Sequence, residues 1–193
     1  MKNVSKQFMA SKVSAGIIAG ALVAGFVASP AFATEQTEPS INIESSEINE
    51  NVSGFNPAVI AACNMGLGDT VVAAYTTSAF GQIKLLCGDS ASGYVHIRSG
   101  HASQWQQIID AVGEGGDWDD LMNFAVKQSL AAPAPGYPQN LGSGKYCYTT
   151  PISVYNSRGQ LVKNLNPTIV ISANNQKVIT AFPTTSAPSC NAS

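Results

Sequence analysis

Charge is scarce in this chain of 193 residues: only 11% are Asp, Glu, Lys or Arg, less than half of the ~25% usual in soluble domains. Long apolar runs are also lacking. Val13–Ala28 is the one extended stretch, too short and too rich in Gly and Ala for a span of ~20 apolar residues, which excludes a polytopic membrane protein. There is no Gly-X-Y period, heptad run or repeated block, so collagen, coiled coil and long solenoid are excluded. No Cys-x-x-Cys occurs and there are only 2 histidines, which argues against a structural zinc site or a thiol redox motif. No metal and no cofactor is expected.

What is present begins with an export signal. Lys2, Lys6 and Lys12 form a positive start, Val13–Ala28 an apolar core, and Ala31-Phe32-Ala33 a small-x-small cleavage site. Residues 1–33 are therefore expected to be removed, leaving a secreted chain with no stable membrane insertion. All 4 cysteines, Cys63, Cys87, Cys147 and Cys190, follow that site, and an even count in an oxidising compartment reads as two disulfides. Three pairings are open; Cys63–Cys87 with Cys147–Cys190 is favoured because each then joins neighbouring parts of one half. Residues 34–54 form an acidic leader. Thr34–Glu50 carries five glutamates with no Lys, Arg or aromatic residue, a composition expected to stay disordered because it cannot offset its ordering entropy.

A single folded domain is expected over residues 55–193. Pro57–Asn64 has the makings of a short helix opened by proline. Asp69–Phe80 and Gly81–Cys87 read as a hairpin around Gly81. Trp105, Ile108, Ile109 and Val112 fall at helical spacing within Ser103–Val112, with Ser103 placed to cap. A second helix starts at Asp117, with Trp118, Leu121, Met122 and Ala125 at the same spacing, and ends before Pro133. From Lys145 the period changes to two, giving strands Tyr146–Tyr155, Leu161–Ser172 and Lys177–Phe182 in an antiparallel meander. The expected class is α+β: two helices packed on a C-terminal antiparallel sheet and stapled by disulfides.

That terminal sheet has an unusual charge. No acid follows Asp120, whereas Lys127, Lys145, Arg158, Lys163 and Lys177 do. A cationic sheet in an acidic chain suits a polyanion, because neutralising phosphate dominates nucleic-acid affinity; scattered bases also simply keep an exposed sheet soluble. Both histidines lie in Tyr94-Val95-His96-Ile97-Arg98-Ser99-Gly100-His101. Two imidazoles with a guanidinium between them suit metal-free cleavage of an RNA phosphodiester, one removing the 2′-hydroxyl proton while another group protonates the leaving oxygen. The plainer alternative is one histidine bonded to backbone and one in solvent.

His96–His101, then helices, then a sheet ending in Val178-Ile179-Thr180-Ala181-Phe182-Pro183 resembles secreted bacterial RNase toxins. These belong to the barnase/EndoU/colicin/RelE superfamily, including RNase A-like contact-dependent inhibition toxins. The resemblance covers Leu85–Thr184, about half of the chain. It implies a small α+β fold whose curved sheet carries the active site, RNA as substrate, and a cognate immunity protein as partner. Carried over, His101 is the catalytic histidine and Thr180 a phosphate contact, with His96 as partner or orienting group. Two departures stand out: Phe182 occupies a position commonly held by Tyr, and the helix after the histidines has no Arg. Arg98 or Lys145 must then serve the phosphate, with Lys177 a further basic contact. The contrasting expectation is a secreted binding module on the same fold without chemistry, and a weaker one is an inhibitor or immunity-type protein.

Overall fold

A computed structural model describes residues 41–43, 54–113, 115–188 and 190, all within the compact unit Thr37–Ser193. The export signal lies outside the described residues, as does the leader apart from 41–43 and 54. Those three residues form β1 (Ile41–Ile43), the β-branched stretch of the segment expected to be disordered. β1 pairs in parallel with Ile152–Val154.

Local chemistry accounts for the N-terminal half. In α1 (Pro57–Asn64) the Asn56 side chain accepts from the Ala58 N–H at 2.9 Å, and Pro57 needs no donor partner in the first turn. β2 (Val71–Thr77) and β3 (Gly81–Leu86) form the expected hairpin. Its turn is tied by Thr77, whose hydroxyl accepts from the Phe80 N–H and donates to the Gly81 carbonyl.

The long helix departs from the sequence expectation. α2 spans Gly93–Val112, 20 residues, so it begins ten residues before Ser103 and carries both histidines. Gly93, Gly100 and the β-branched Val95 and Ile97 all lower helix propensity, which hides the first half of the helix. Tertiary packing overrides them: Tyr94, Ile97, Trp105, Ile108 and Ile109 are buried on one stripe. The approach is a tight loop. A Cβ on Gly88 would lie 1.9 Å from the Ser92 carbonyl oxygen, and one on Gly93 would lie 2.7 Å from that of Leu86. Both glycines have positive φ, so only glycine fits. α3 (Trp118–Ala131) follows. Asp117 sits at its cap position without a side-chain cap bond; instead Gln106 of α2 accepts from the Trp118 N–H at 3.0 Å.

The strands are shorter and more numerous than the meander expected. They are β4 (Gln139–Gly142), β5 (Lys145–Tyr148), β6 (Ile152–Tyr155), β7 (Leu161–Leu165), β8 (Thr168–Ser172) and β9 (Lys177–Phe182). Pro151 and Pro167, which cannot donate to a ladder, cut each long run in two. The halves then join different sheets, β1-β6-β7 and β2-β3-β9-β8-β5-β4. The second is mixed rather than purely antiparallel: the N-terminal hairpin joins it through a parallel contact, Lys84 opposite Lys177. The architecture is α+β, with three helices and these two sheets among the described residues.

Two features shape the site. With β3 meeting β9 at a single residue pair, α2 packs along β9, and the buried Trp105 indole donates to the Ala181 carbonyl at 3.2 Å. In addition, Val170 pairs with Thr180 but Ile171 pairs with Val178, so β9 carries a bulge at Ile179. The bulge corrects the expected alternation. Val178 lies in the core cluster with Ala181, while Thr180 shares a face with Phe182 and not with Val178.

Disulfides Cys63–Cys87 and Cys147–Cys190 are present. The first ties α1 to the end of β3; the second ties the C-terminal segment to β5. Among the described residues no helix is long and apolar enough to cross a membrane.

Candidate functional site

A cleft of about 450 Å³ opens between α2 and the sheet. α2 contributes His96, His101 and Gln104; β5 contributes Lys145; β8 contributes Val170; β9 contributes Ile179, Thr180 and Phe182. The sheet side follows from register. Cys147, Val170 and Thr180 are successive cross-strand partners, and Lys145 and Phe182, each two residues along its strand, fall on the same face. Four of the six residues singled out from the sequence, His96, His101, Lys145 and Thr180, thus line one cleft.

The imidazoles stand edge to face, with ring centroids 5.9 Å apart. His101 also stacks on Phe182 at 4.9 Å with the planes 28° apart. The His96 Nδ1 lies 2.9 Å from the Ser90 carbonyl and the His101 Nδ1 lies 3.2 Å from the Gln104 Oε1. Both partners only accept, so each neutral ring carries its proton on Nδ1 and keeps Nε2 as its basic nitrogen. Burial pushes the His101 proton affinity below the ordinary histidine value; the neighbouring His96 adds to this and the Gln104 bond opposes it. The His101 ring is half-buried, packed against one aromatic ring but open to the cleft.

Thr180 is 6% exposed, and its Oγ1 has no hydrogen-bond partner among the described residues. A buried hydroxyl without a partner costs stability, and this one belongs to a residue lining the cleft.

The other two residues stand elsewhere. Arg98 donates to Asn64 Oδ1 on α1, and its guanidinium lies 5.7 Å from the centre of the Tyr94 ring. It does not line the cleft, which corrects its expected place at a phosphate. The reason is helical: at about 100° per residue His96, Gln104 and His101 span one arc of the helix, and Arg98, about 120° around from Gln104, falls outside it. Lys177 donates to the Ser92 hydroxyl at 3.1 Å, bracing the loop that starts α2, and is not among the lining residues.

Gln104 and Asp89 are the residues the sequence reading passed over. Asp89 Oδ1 accepts from the N–H groups of Ala91 and Ser92, and these bonds hold its carboxyl below the usual carboxylate range, with Lys177 and His96 adding to the effect. The Asp-x-x-Ser spacing before a helix is a readable turn signal. Gln104 could have been found only by knowing that the helix begins early enough to carry His101, three residues before it.

Among the described residues, no group of three or more His, Cys, Asp or Glu side chains gathers as a metal site. The chemistry on hand is two coupled imidazoles, one ammonium group and one unpartnered hydroxyl.

No family model matches the chain. Two proteins of Mycobacterium tuberculosis, from strains CDC 1551/Oshkosh and ATCC 25618/H37Rv, are each 30% identical to it over 118 residues. Both are described only as uncharacterized. The match takes in 54% of this chain and 38% of each relative.

Proposed function

We propose that this protein is a secreted ribonuclease-type effector that cuts RNA by attack of the 2′-hydroxyl on the adjoining phosphodiester. The observation that carries the reading is the convergence in one cleft of two imidazoles 5.9 Å apart, Lys145 and the unpartnered Thr180 hydroxyl. His101, the ring whose affinity for a proton is lowered, accepts the 2′-hydroxyl proton. The O2′–P bond forms as the P–O5′ bond breaks, and protonated His96 supplies the proton to the leaving 5′-oxygen. The products are a 2′,3′-cyclic phosphate and a 5′-hydroxyl. Lys145 and Thr180 Oγ1 supply positive charge and a hydrogen bond where negative charge builds on the phosphate. Export by the segment 1–33 belongs to the same reading, as does a cognate immunity protein that blocks the cleft.

The test is incubation of the oxidised protein with total RNA in EDTA beside His101→Ala. Cleavage by the native chain that is lost in the variant is the expected result. No cleavage, or equal cleavage by both, sinks the proposal. The position of Arg98, held by Asn64 and Tyr94, favours one alternative, a non-catalytic binding module. In that case the native protein cuts no RNA and keeps its surface ligand after His101→Ala.

A further inference from the structure

A second cavity, of about 470 Å³, adjoins the cleft. The two share Gln104 and Phe182 as walls, so they lie side by side along α2. The far cavity is closed by Gln107 and Ile108 of α2, by the Pro183–Thr185 segment that follows β9, and by Lys163 of β7. Here the small sheet gains a role: β7 belongs to the sheet β1-β6-β7 and brings a cation to the cavity that Lys145 does not line. Among the described residues, no acidic side chain lines either cavity. Lys163 and Gln107 are exposed, and neither has a side-chain partner assigned among the described residues.

We infer that this second cavity is a subsite for the neighbouring nucleotide of a single-stranded RNA, its phosphate at Lys163 and its base against Ile108 and the two glutamine amides. The inference rests on the proposed reading of the cleft and extends it along the strand. Three observations carry it. Each cavity falls in the range of ~300–1,000 Å³ that suits a small ligand, so each takes one nucleotide. One ammonium group stands at each, matching the repeating charge of a nucleic-acid backbone. The non-charged walls combine apolar surface with amides that both donate and accept, which suits the face and the edge of a base.

The test is binding, which separates this subsite from the chemistry. Fluorescently labelled 2′-O-methyl oligonucleotides of one to four residues cannot undergo 2′-attack and are titrated into the full chain by anisotropy. Affinity is expected to rise about tenfold once the probe is long enough to fill both cavities. Lys163→Ala and Gln107→Ala each flatten that step while leaving the single-nucleotide probe unaffected. For Lys163→Ala the salt dependence of the longer probe also falls by about 0.7 in logarithmic slope. An affinity that does not grow with length, or a step untouched by both variants, overturns the subsite. Retained length dependence without RNA cleavage removes the catalytic reading alone, and cleavage without length dependence removes the subsite alone.

Discussion

Thr180→Val separates the structural from the chemical account of the cleft, because the two predict opposite things. Valine has the shape of threonine, the same branching at Cβ and a comparable preference for strands. The exchange therefore removes one hydroxyl and little else. That hydroxyl is buried and unpartnered, and uncompensated burial of such a group costs ~1–3 kcal/mol. Packing against Val170, its cross-strand neighbour, is retained. Thr180→Val is thus expected to raise stability by about 1 kcal/mol, read as a higher urea midpoint at unchanged slope. If the same hydroxyl donates to the phosphate in the transition state, RNA cleavage falls about 100-fold. Thr180→Ser is the control: it keeps the donor and most of the activity, and loses about 1 kcal/mol with the buried methyl. A Thr180→Val protein that is less stable than the native one refutes the reading of the orphaned hydroxyl. One that cleaves RNA undiminished refutes its part in the reaction.

Two further outcomes concern protonation. Burial, with Asp119 and Asp117 alongside, raises the Asp120 carboxyl from 3.8 to about 6, so the folded state holds a proton that the unfolded chain has released. Stability therefore declines as pH climbs from 3.8 to 6 and stays lowered above it. At 1.36 kcal/mol per tenfold change in proton affinity the ceiling is about 3 kcal/mol, and screening of this half-exposed group brings it to about 1. Asp120→Asn should gain that amount in urea unfolding at pH 7.5 and lose the gain as pH falls through the window; an equal effect at both ends contradicts the assignment. For the histidines, a reaction that uses one imidazole as base and the other as acid should follow a bell-shaped pH profile. The Gln104 bond raises the His101 affinity for a proton, so Gln104→Ala should move the acid limb of kcat/KM to lower pH. A limb that stays fixed or moves upward counts against His101 as the base.

The parts of this fold that could be read from sequence are those set by neighbours a few residues apart. α1 with its Pro57 start, the hairpin turning at Gly81 and the apolar spacing of α3 depend on local chemistry, and the structure has them where the pattern placed them. The disulfides follow from the same locality, each closing a loop of modest length, 24 and 43 residues. What local pattern could not show is where chain stiffness is overruled or interrupted. Two glycines and two β-branched residues disguised half of α2. Pro151 and Pro167 divided what read as two long strands among two sheets. The Ile179 bulge reversed the face on which Val178 sits, and a one-residue irregularity leaves no trace in a two-residue period.

The site shows the same division more sharply. In the sequence, His96, Arg98 and His101 form one tight cluster, and nearness along the chain invites the assumption of nearness in space. A helix breaks that assumption in a definite way. Arg98 leaves for Asn64 and Tyr94. His101 instead falls on the stripe of Ile97 and Trp105, four residues to either side, and that stripe is the one packed toward β9. The stripe that buries Trp105 under the Ala181 carbonyl therefore also brings His101 against Phe182, within the same cleft as Thr180. The cation that joins the histidines comes from Lys145, more than forty residues later in the chain. Its position depends on β5 pairing with β8 and β8 with β9, so the cleft exists only once the sheet is assembled. Loosening α2 from β9, for instance by Trp105→Ala, should separate the imidazoles from Lys145 and Thr180 even though none of those four residues is changed.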